Sequence, residues 1–319
     1  GESKAIQDVL DFVNQVAKSP DTPVLLSGET GTGKELIASA IHHKSPNFKG
    51  PFITVNCAAI PKELIESELF GYDKGAFSGA RASGKTGMVE EAAGGTLFLD
   101  EVADMSLEAQ AKLLRFLEDG EYYRVGGTKK LRVTTRVVSA TNKSLDQLIK
   151  QAQFRQDLFY RLAVIKVEIP RLTKRTDDIL PIARHFLVNF STKFDKPFTG
   201  IEPEAEQILI DHTWTGNIRE LKNTIERAVL TGQGPRLRAA DIALATAQTA
   251  TDGNDTKIRQ PVLQIPSDGV DLKSLLQETE KRYIQLALQQ ADGNESRAAR
   301  LLGLNYYTFR HRRKKLLDA

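Results

Sequence analysis

The sequence has very few of the residues that form disulfides or metal clusters. Its 319 residues include a single cysteine, Cys57, so neither an internal disulfide nor a thiolate metal cluster can form within the chain. The five histidines show no HExxH-like spacing. We therefore expect Cys57 to behave as a small buried apolar side chain.

Long apolar segments are also missing. No run of about 18 apolar residues could span a membrane, and the N-terminus lacks the basic and then apolar pattern of a signal peptide. We expect a soluble, cytoplasmic protein. A helical pattern starts within a few residues of Gly1, which leaves no room for a regulatory domain, and we expect that the sequence is part of a longer protein.

Charge of one sign is in excess only locally. The composition, 40% apolar and 27% charged, is that of an ordinary globular protein of about two domains, and the net charge is only +3. Residues 294–319, however, contain seven Lys or Arg against Glu295 and Asp318. This local excess predicts an anionic partner for the C-terminal end.

Hydrophobic patterning predicts an α/β fold followed by helices. A helix over 4–18 precedes short β-type runs at 23–27, 52–56, 95–99 and 136–140, which alternate with helical patterns at 33–44, 62–69 and 106–119. This alternation is typical of an open, mostly parallel sheet. After Pro170 only helical patterns follow, at 177–194, 202–211 and 217–230. We predict an α/β unit at 1–170, a helical unit at 171–248, a linker at 249–270 and a helical domain at 271–319.

A glycine-rich stretch, GETGTGKE at 28–35, lies where a predicted strand ends and a helix begins. Glycines there let consecutive backbone N–H groups surround phosphate oxygens, and the helix N-terminus and Lys34 add positive charge. An ordinary glycine turn is the alternative. Glu35 stands where a general P-loop has the Ser or Thr that holds Mg²⁺. The predicted nucleotide-binding residues are Gly28, Glu29, Thr30, Gly31, Thr32, Gly33, Lys34 and Glu35.

A second stretch, GGTLFLDE at 94–101, places two carboxylates at the end of a buried strand. Ligands of an open α/β sheet bind at the carboxyl ends of its strands. Asp100 can bind Mg²⁺, and Glu101 can polarise the attacking water. Such a pair can also simply supply charge at a helix N-terminus, but together with the P-loop it predicts ATP or GTP hydrolysis.

Three further stretches carry polar residues with simpler alternatives. Thr141 and Asn142 end a strand and can orient water, or they can cap a helix before Leu145. For Arg155 and Arg161, in FRQDLFYRL, helical salt bridges are the default. In WTGNIREL, Arg219 lies on the first turn of a helix and can equally be a surface residue.

The stretch ELFGYDKGAFSGA, at 68–80, has the pattern of a mobile loop with an aromatic tip. Gly71, Gly75 and Gly79 recur at every fourth position, a spacing that suits a loop better than a packed helix. Phe77 is the aromatic residue between these glycines. The alternative is a turn whose aromatic side chain packs back into the core.

These motifs, in this order and at these separations, closely resemble the central domain of bacterial enhancer-binding proteins, the AAA+ activators of sigma-54 RNA polymerase. The resemblance covers about residues 1–245, and an acidic residue after the P-loop lysine is usual in that family. It implies an AAA+ P-loop ATPase with a helical lid, which binds ATP and Mg²⁺. Ser78 replaces the usual Thr of the GAFTGA-type loop, and Tyr72 stands where His is common.

The resemblance also implies a role for each matched residue. Asp100 and Glu101 would serve Mg²⁺ and water, with Asn56 engaging Glu101. Thr141 and Asn142 would be the first sensor and Arg219 the second. Arg155 and Arg161 would be arginine fingers inserted into a neighbouring subunit, which requires an oligomer. The family usually forms rings of six or seven subunits, and the resemblance implies a dimer as the inactive form. The sigma-54 contact would be Gly75, Ala76, Phe77, Ser78, Gly79 and Ala80.

The C-terminal stretch, GNESRAARLLGLNYYTFRHRRKKL, follows a helical pattern over 272–290. Asn294 or Ser296 can cap a short helix, Gly303 makes a turn, and a second helix starts near Asn305, which together predict a helix-turn-helix. This stretch resembles the Fis-type domain, which implies binding to double-stranded enhancer DNA as a dimer. The candidate DNA contacts are Asn305, Tyr306, Tyr307, Thr308, Arg310, Arg312, Arg313, Lys314 and Lys315. A basic helix on the surface of a bundle is the alternative.

Two other classes of function fit part of the pattern. One is an AAA+ remodeller that acts on DNA or replication proteins directly and whose loop at 71–84 grips nucleic acid, although no basic residue lies within GAFSGA. The other is a repressor-like protein that only senses nucleotide. An intact Glu101 and both arginines argue against pure sensing, and we favour an ATP-hydrolysing activator of sigma-54 polymerase.

Overall fold

The structure, a computed structural model, describes residues 1–76, 83–243, 245, 272–291 and 293–317. The chain forms two compact units, Gly1–Gly253 and Asn254–Ala319. None of the described helices is long and apolar enough to cross a membrane.

The first unit is built from short strands and helices in alternation. Its strands are β1 (Val24–Ser27), β2 (Phe52–Asn56), β3 (Thr96–Asp100), β4 (Glu121–Tyr123), β5 (Lys130–Arg132), β6 (Arg136–Thr141), β7 (Ile165–Glu168), β8 (Gly200–Ile201) and β9 (Arg236–Leu237). Its helices include α1 (Lys4–Val16), α2 (Lys34–His43), α3 (Lys62–Phe70), α4 (Met88–Glu91), α5 (Leu107–Asp119), α6 (Leu145–Lys150), α7 (Gln156–Leu162), α8 (Ile179–Lys193), α9 (Pro203–Asp211) and α10 (Asn217–Thr231).

A parallel five-stranded sheet with the order β2-β3-β6-β1-β7 organises this unit. Leu97, Phe98 and Leu99 of β3 are fully buried, because helices cover both faces of the sheet. The predicted open parallel α/β sheet is therefore confirmed. Strands β4 and β5 form a separate antiparallel hairpin.

The sequence does not predict β7, the fifth strand of the sheet. Its residues alternate apolar and polar, as in IKVE, and only Val167 among them is buried. This edge strand pairs with β1 alone and therefore lacks the continuous apolar run by which the central strands are recognised.

The prediction of helices alone after Pro170 is wrong in one detail. Helices α8, α9 and α10 pack around a core that contains Trp214, but β8 and β9 form a two-residue parallel ladder beside them. Segments of two residues are too short to show a period in the sequence.

The stretch at 68–80 is not a loop from its first residue. Helix α3 continues to Phe70, and Leu69 and Phe70 are fully buried, because their apolar side chains pack in the core under the sheet. The loop therefore starts at Gly71. Residues 77–82, which include Phe77, Ser78, Gly79 and Ala80, lie outside the described part of the chain.

The second unit contains α11 (Leu272–Gln290), α12 (Glu295–Leu301) and α13 (Tyr306–Leu317). Ile284 of α11, Ala298 of α12 and Phe309 of α13 share one small buried core. Asn294 caps α12, because its side-chain oxygen accepts a hydrogen bond from the Arg297 N–H.

Arg136, the first residue of β6, joins the sheet to α1. Its side chain is fully buried, and Nη1 and Nη2 donate to Ala17 O (3.2 Å) and Val16 O (2.9 Å) at the end of α1. The charge therefore lies at the negative end of the helix dipole, and it satisfies carbonyl groups that the helix leaves unpaired.

We predict that Arg136→Met lowers the free energy of unfolding by about 2 kcal/mol, because two buried carbonyls lose a charged donor. Arg136→Lys is the matched control and should cost less, since an ammonium can still reach one carbonyl. Chemical denaturation measures both losses. A loss below about 0.5 kcal/mol for Arg136→Met would contradict this role.

Candidate active site

The loop at 28–35 lies at the carboxyl edge of the sheet, between β1 and α2. Gly31 and Gly33 have φ of 79° and 99°, in the left-handed region. A Cβ on Gly31 would come within 2.3 Å of Gly216 O, so only glycine allows the approach of the turn before α10. The sequence alone does not predict this contact between the loop and the helical region.

This loop presents several unpaired backbone donors. Within the described part of the chain, the N–H groups of Thr30, Gly31, Gly33, Lys34 and Glu35 donate no hydrogen bond. The N-terminus of α2 adds its partial positive charge at the same place. Amides and a helix end arranged in this way form a binding site for phosphate oxygens.

Lys34 lies within this loop, with its side chain 8% exposed. Its Nζ donates to Gly28 O (2.9 Å) and Glu29 O (3.2 Å). Burial lowers the pKa of Lys34, whereas Glu101 and Asp100 raise it and Arg219 lowers it further. The two carboxylates and the Arg219 guanidinium are thus within electrostatic reach of one ammonium group.

Glu101 and Asn142 meet beside the loop. Glu101 has a left-handed backbone (φ 51°), and its Oε2 accepts a hydrogen bond from Asn142 N at 3.3 Å. The Asn142 Nδ2 donates to Thr30 Oγ1 at 2.8 Å. The structure therefore places the end of β6, the residue after β3 and the P-loop in one hydrogen-bonded group.

The simpler prediction for Thr141 and Asn142, a helix cap before Leu145, is wrong. Ser144 is the cap, since its Oγ accepts a hydrogen bond from the Gln147 N–H at 3.4 Å. Thr141 instead ends β6, where its carbonyl accepts from Gly28 N and its Oγ1 accepts from Lys143 N.

Asn56 ends the strand next to the one that carries the carboxylates. Asn56 and Asp100 are register partners on β2 and β3. The Asn56 Oδ1 accepts hydrogen bonds from Ala58 N (3.0 Å) and Ala59 N (3.2 Å), and thereby caps the turn after β2. Among the described residues no hydrogen bond joins Asn56 to Glu101, and their pairing stays a prediction.

Cys57 is buried beside these carboxylates, as the sequence predicts. Burial, together with the negative charges of Asp100, Asp104 and Glu101, raises the pKa of its thiol to about 12. This thiol remains neutral at physiological pH and is unsuited to nucleophilic or ligand chemistry.

A divalent cation would have few protein ligands at this site. Among the described residues, no group of three or more His, Cys, Asp or Glu side chains could hold a metal ion by itself. Mg²⁺ commonly takes one or two carboxylates together with phosphate oxygens and water. Asp100, which ends β3 and accepts a hydrogen bond from Glu101 N at 3.0 Å, fits such a site.

Two buried residues that the sequence did not single out hold the loop from the helical side. Asn217 donates from Nδ2 to Glu29 Oε2 (3.1 Å) and Thr30 O (3.2 Å), and its Oδ1 accepts from Leu172 N. Arg175 donates from Nη2 to Thr32 O at 2.8 Å. In the sequence, only the position of Asn217 in WTGNIREL, two residues before Arg219, indicates a role at this site.

Arg155 and Arg161 lie away from this loop, on the surface around α7. Arg155 forms two hydrogen bonds with the Asp157 carboxylate, at 3.0 and 2.6 Å, and Arg161 donates from Nε and Nη2 to Leu117 O. A cavity of about 710 Å³ beside the P-loop is lined by Gly28, Glu29, Thr141 and Asn142 among others, but by neither arginine. Both arginines are exposed.

Backbone hydrogen bonds between Tyr72 and Lys85, here called the Tyr72–Lys85 closure, join the two described ends of the loop that contains GAFSGA. Tyr72 N donates to Lys85 O (3.0 Å) and Lys85 N to Tyr72 O (2.9 Å). The turn after β4 supports this base, because Asp73 N donates to Val125 O at 3.0 Å. Gly75 and Ala76 lie just above it, and Gly75 has no atom near its Cβ position.

In the second unit, α13 exposes part of the predicted DNA-binding set. Tyr307 is 82% exposed, and Arg310 and Lys314 are exposed on the same helix. Asn305 acts as a cap, since its Oδ1 accepts from Thr308 N at 2.8 Å. Arg312 pairs with Glu280 at 2.7 Å, and Arg313 pairs with Glu295.

Comparisons with known families cover almost all of the chain. Residues 1–168 match the sigma-54 interaction domain, residues 173–258 the AAA+ ATPase lid domain, and residues 275–316 the bacterial regulatory protein, Fis family.

Curated relatives show the same resemblance. The regulatory protein AtoC of Escherichia coli is 44% identical over 95% of this chain, which spans 64% of AtoC. The DNA-binding transcriptional regulator NtrC of E. coli is 41% identical over 99% of the chain, which spans 69% of NtrC. The Psp operon transcriptional activator of E. coli is 42% identical, and the match covers 99% of this chain and 96% of that protein.

A solved structure of NtrX from Brucella abortus in complex with ATP has a similar fold. The TM-score is 0.72 at 34% identity, and the match covers 99% of this chain and 68% of NtrX.

We predict that Lys34→Ala weakens ATP binding by roughly tenfold to a hundredfold, because a buried ammonium is lost from the phosphate site. Isothermal titration with ATP measures this change. Lys49→Ala, which removes an exposed lysine outside the loop, is the matched control and should leave the affinity unchanged. Equal affinity of the Lys34→Ala protein would contradict the phosphate site.

Proposed function

Because the chain belongs to the family of sigma-54-interacting AAA+ ATPase activators with a Fis-type DNA-binding domain, we propose that it binds enhancer-like DNA and hydrolyses ATP to remodel closed complexes of sigma-54 RNA polymerase. The observation that carries this proposal is the convergence of the unpaired P-loop amides, Lys34, Asp100, Glu101 and Asn142 at one edge of the sheet. Such an arrangement suits phosphoryl transfer to water.

The nucleotide site would use this edge as follows. The unpaired amides of the loop and Lys34 would bind the β and γ phosphates, and Asp100 would hold Mg²⁺, which would supply positive charge against the negative charge that develops on the phosphate. Glu101 orients the attacking water and accepts its proton, with Thr141 and Asn142 beside it as the sensor of the γ-phosphate. Arg219, within electrostatic reach of Lys34, would report the nucleotide to α10.

The exposed arginines support a ring of identical subunits. Arg155 and Arg161 are exposed and do not line the cavity beside their own P-loop, so we propose that they stabilise the γ-phosphate bound by a neighbour. A head-to-tail interface that closes on itself forms a ring, and six or seven subunits are expected, with a dimer as the inactive form. Each ATP site would then be complete only in the assembly.

The loop above the Tyr72–Lys85 closure would contact sigma-54 through Gly75, Ala76, Phe77, Ser78, Gly79 and Ala80. At the base of this loop, Tyr72 and Lys85 are hydrogen bonded to each other, and Asp73 N donates to Val125 O. A shift of this base would therefore move the whole loop. We propose that nucleotide hydrolysis drives this shift. Ser78 keeps the hydroxyl group of Thr but lacks its methyl group.

The remaining parts of the chain would divide the other tasks. We propose an AAA+ α/β subdomain at 1–170, a lid at 171–248, a linker at 249–270 and a DNA-binding domain at 271–319. Tyr306, Tyr307, Thr308 and Arg310 would read bases, and Lys314 would contact phosphate. Arg312 and Arg313 would have to exchange Glu280 and Glu295 for phosphate, while Asn305 would fix the start of the helix.

We predict that Glu101→Gln binds ATP with unchanged affinity but hydrolyses it at least about a hundredfold more slowly, because the general base is lost. Single-turnover hydrolysis and ATP titration measure the two effects separately. The exposed Glu91→Gln substitution is the control of matched chemistry. Hydrolysis near the unsubstituted rate in Glu101→Gln would show that another residue is the base.

For Phe77→Ala we predict an unchanged ATPase rate and a loss of transcription from a sigma-54 promoter, because the loop tip, not the nucleotide site, is altered. The measurement is the transcript yield with sigma-54 holoenzyme, ATP and enhancer DNA. Substitution of Phe48, an exposed aromatic residue elsewhere, by Ala should leave the yield intact. An unaltered yield with Phe77→Ala would remove the loop from the mechanism.

A further inference from the structure

Gln110, in the second turn of α5, is fully buried and uses all of its amide group. Its Nε2 donates to Met105 O (2.9 Å) and to Gln153 O (3.1 Å), and its Oε1 accepts from Arg155 N (2.9 Å). Two carbonyl groups on one side and an N–H on the other fix the orientation of the amide.

These three hydrogen bonds connect two regions. In the proposed function, one region serves the subunit's own ATP site and the other serves the ATP site of the neighbouring subunit. Met105 ends the short segment that follows Glu101, after the turn Val102–Asp104. Gln153 and Arg155 flank Phe154, which is buried, and Arg155 begins α7 as its N-cap residue. Gln110 therefore joins the segment after the catalytic carboxylate to the backbone of a predicted arginine finger.

Helix α5 also positions the second arginine. Leu117, in the last turns of α5, accepts from Arg161 Nε (3.0 Å) and Nη2 (2.8 Å). Helices α5 and α7 pack through Leu113, Phe116, Leu158 and Leu162 in one core. Both arginines are thus held relative to α5, Arg155 through its backbone and Arg161 through its guanidinium.

An amide is an expensive choice for this position if it serves packing alone. Burying a polar group costs free energy unless every donor and acceptor is paired, and an apolar side chain would fill the same space in a helix that otherwise buries Ala109, Leu113 and Phe116. What the amide adds is a fixed distance between α5 and the start of α7. Catalytic groups misplaced by about 1 Å can lose about a hundredfold in rate.

We propose that Gln110 is a positioning residue that sets Arg155 for insertion into the neighbouring subunit and links it to the segment that carries Glu101. The inference rests on the proposed function of Arg155 as an arginine finger. In this proposal, one buried side chain couples the segment after Glu101 to the arginine that serves the ATP site of the neighbouring subunit.

A mixing experiment with the full chain tests this role. The acceptor carries Arg155→Ala and Arg161→Ala and keeps its nucleotide site, and the donor carries Lys34→Ala and keeps its arginines. Neither hydrolyses ATP alone, and their mixture should. Adding Gln110→Leu to the donor should reduce the activity of the mixture by about a hundredfold, whereas adding it to the acceptor should reduce it by less than about threefold.

Two further variants separate positioning from general damage. Gln110→Glu keeps an acceptor for Arg155 N, and its carboxyl, which burial and the facing carbonyls of Met105 and Gln153 keep protonated, can donate to one of those carbonyls, so it should restore part of the donor activity. Gln147→Met, which alters an exposed amide on α6, is the matched control and should have no effect in the donor. Gln110→Leu in the otherwise unaltered chain should keep its ATP affinity and lose kcat; if it fails to bind ATP, Gln110→Glu carries the donor and acceptor comparison.

The outcomes distinguish failure of the proposed function from failure of the role of Gln110 alone. If the Lys34→Ala donor without a change at Gln110 fails to activate the acceptor, the fingers do not act in trans, and the proposed function and the role of Gln110 both fall. If that donor works and the Gln110→Leu donor works equally well, or if the loss is as large in the acceptor, the positioning role alone is overturned.

Discussion

The unpaired backbone amides of the P-loop are the constraint on which the rest of the site depends. A backbone N–H that lies near a protein core and has no acceptor costs free energy. The N-terminus of α2 lies at the same place, and its partial positive charge also favours an anion there. Within the described residues, five such N–H groups have no acceptor, those of Thr30, Gly31, Gly33, Lys34 and Glu35. A triphosphate would satisfy these groups together and would also relieve Lys34, whose charge is now shared between two carbonyl oxygens.

Several functional elements of the first unit are connected to this loop by short paths. The helical region contacts it through Asn217 and Arg175, and the end of β6 contacts it through Asn142. From Glu101 the chain runs to Met105, whose carbonyl accepts a hydrogen bond from Gln110, and Gln110 in turn accepts one from Arg155 N. A change at one phosphate site therefore has a physical route both to the lid and to the arginine proposed to serve the next site.

The sequence predicts the elements whose signal is local and leaves out those defined by contact. The P-loop, the carboxylates after β3 and the central strands follow from glycine spacing and buried apolar runs. The edge strand β7, with one buried residue, does not. Helix α3 extends into the glycine-rich stretch because Leu69 and Phe70 pack inward, a tertiary effect that glycine periodicity cannot report. Asn217, Arg175 and Gln110 act through partners that are distant in the chain, and their residue types alone carry no signal.

Promoter opening tests the central claim most directly. Sigma-54 holoenzyme is assembled on its promoter, with this protein and enhancer DNA, and unpaired thymines at the start site are measured by permanganate reactivity. The account predicts opening only when the protein and hydrolysable ATP are both present. Opening with a non-hydrolysable analogue, or equal opening without the protein, would contradict it.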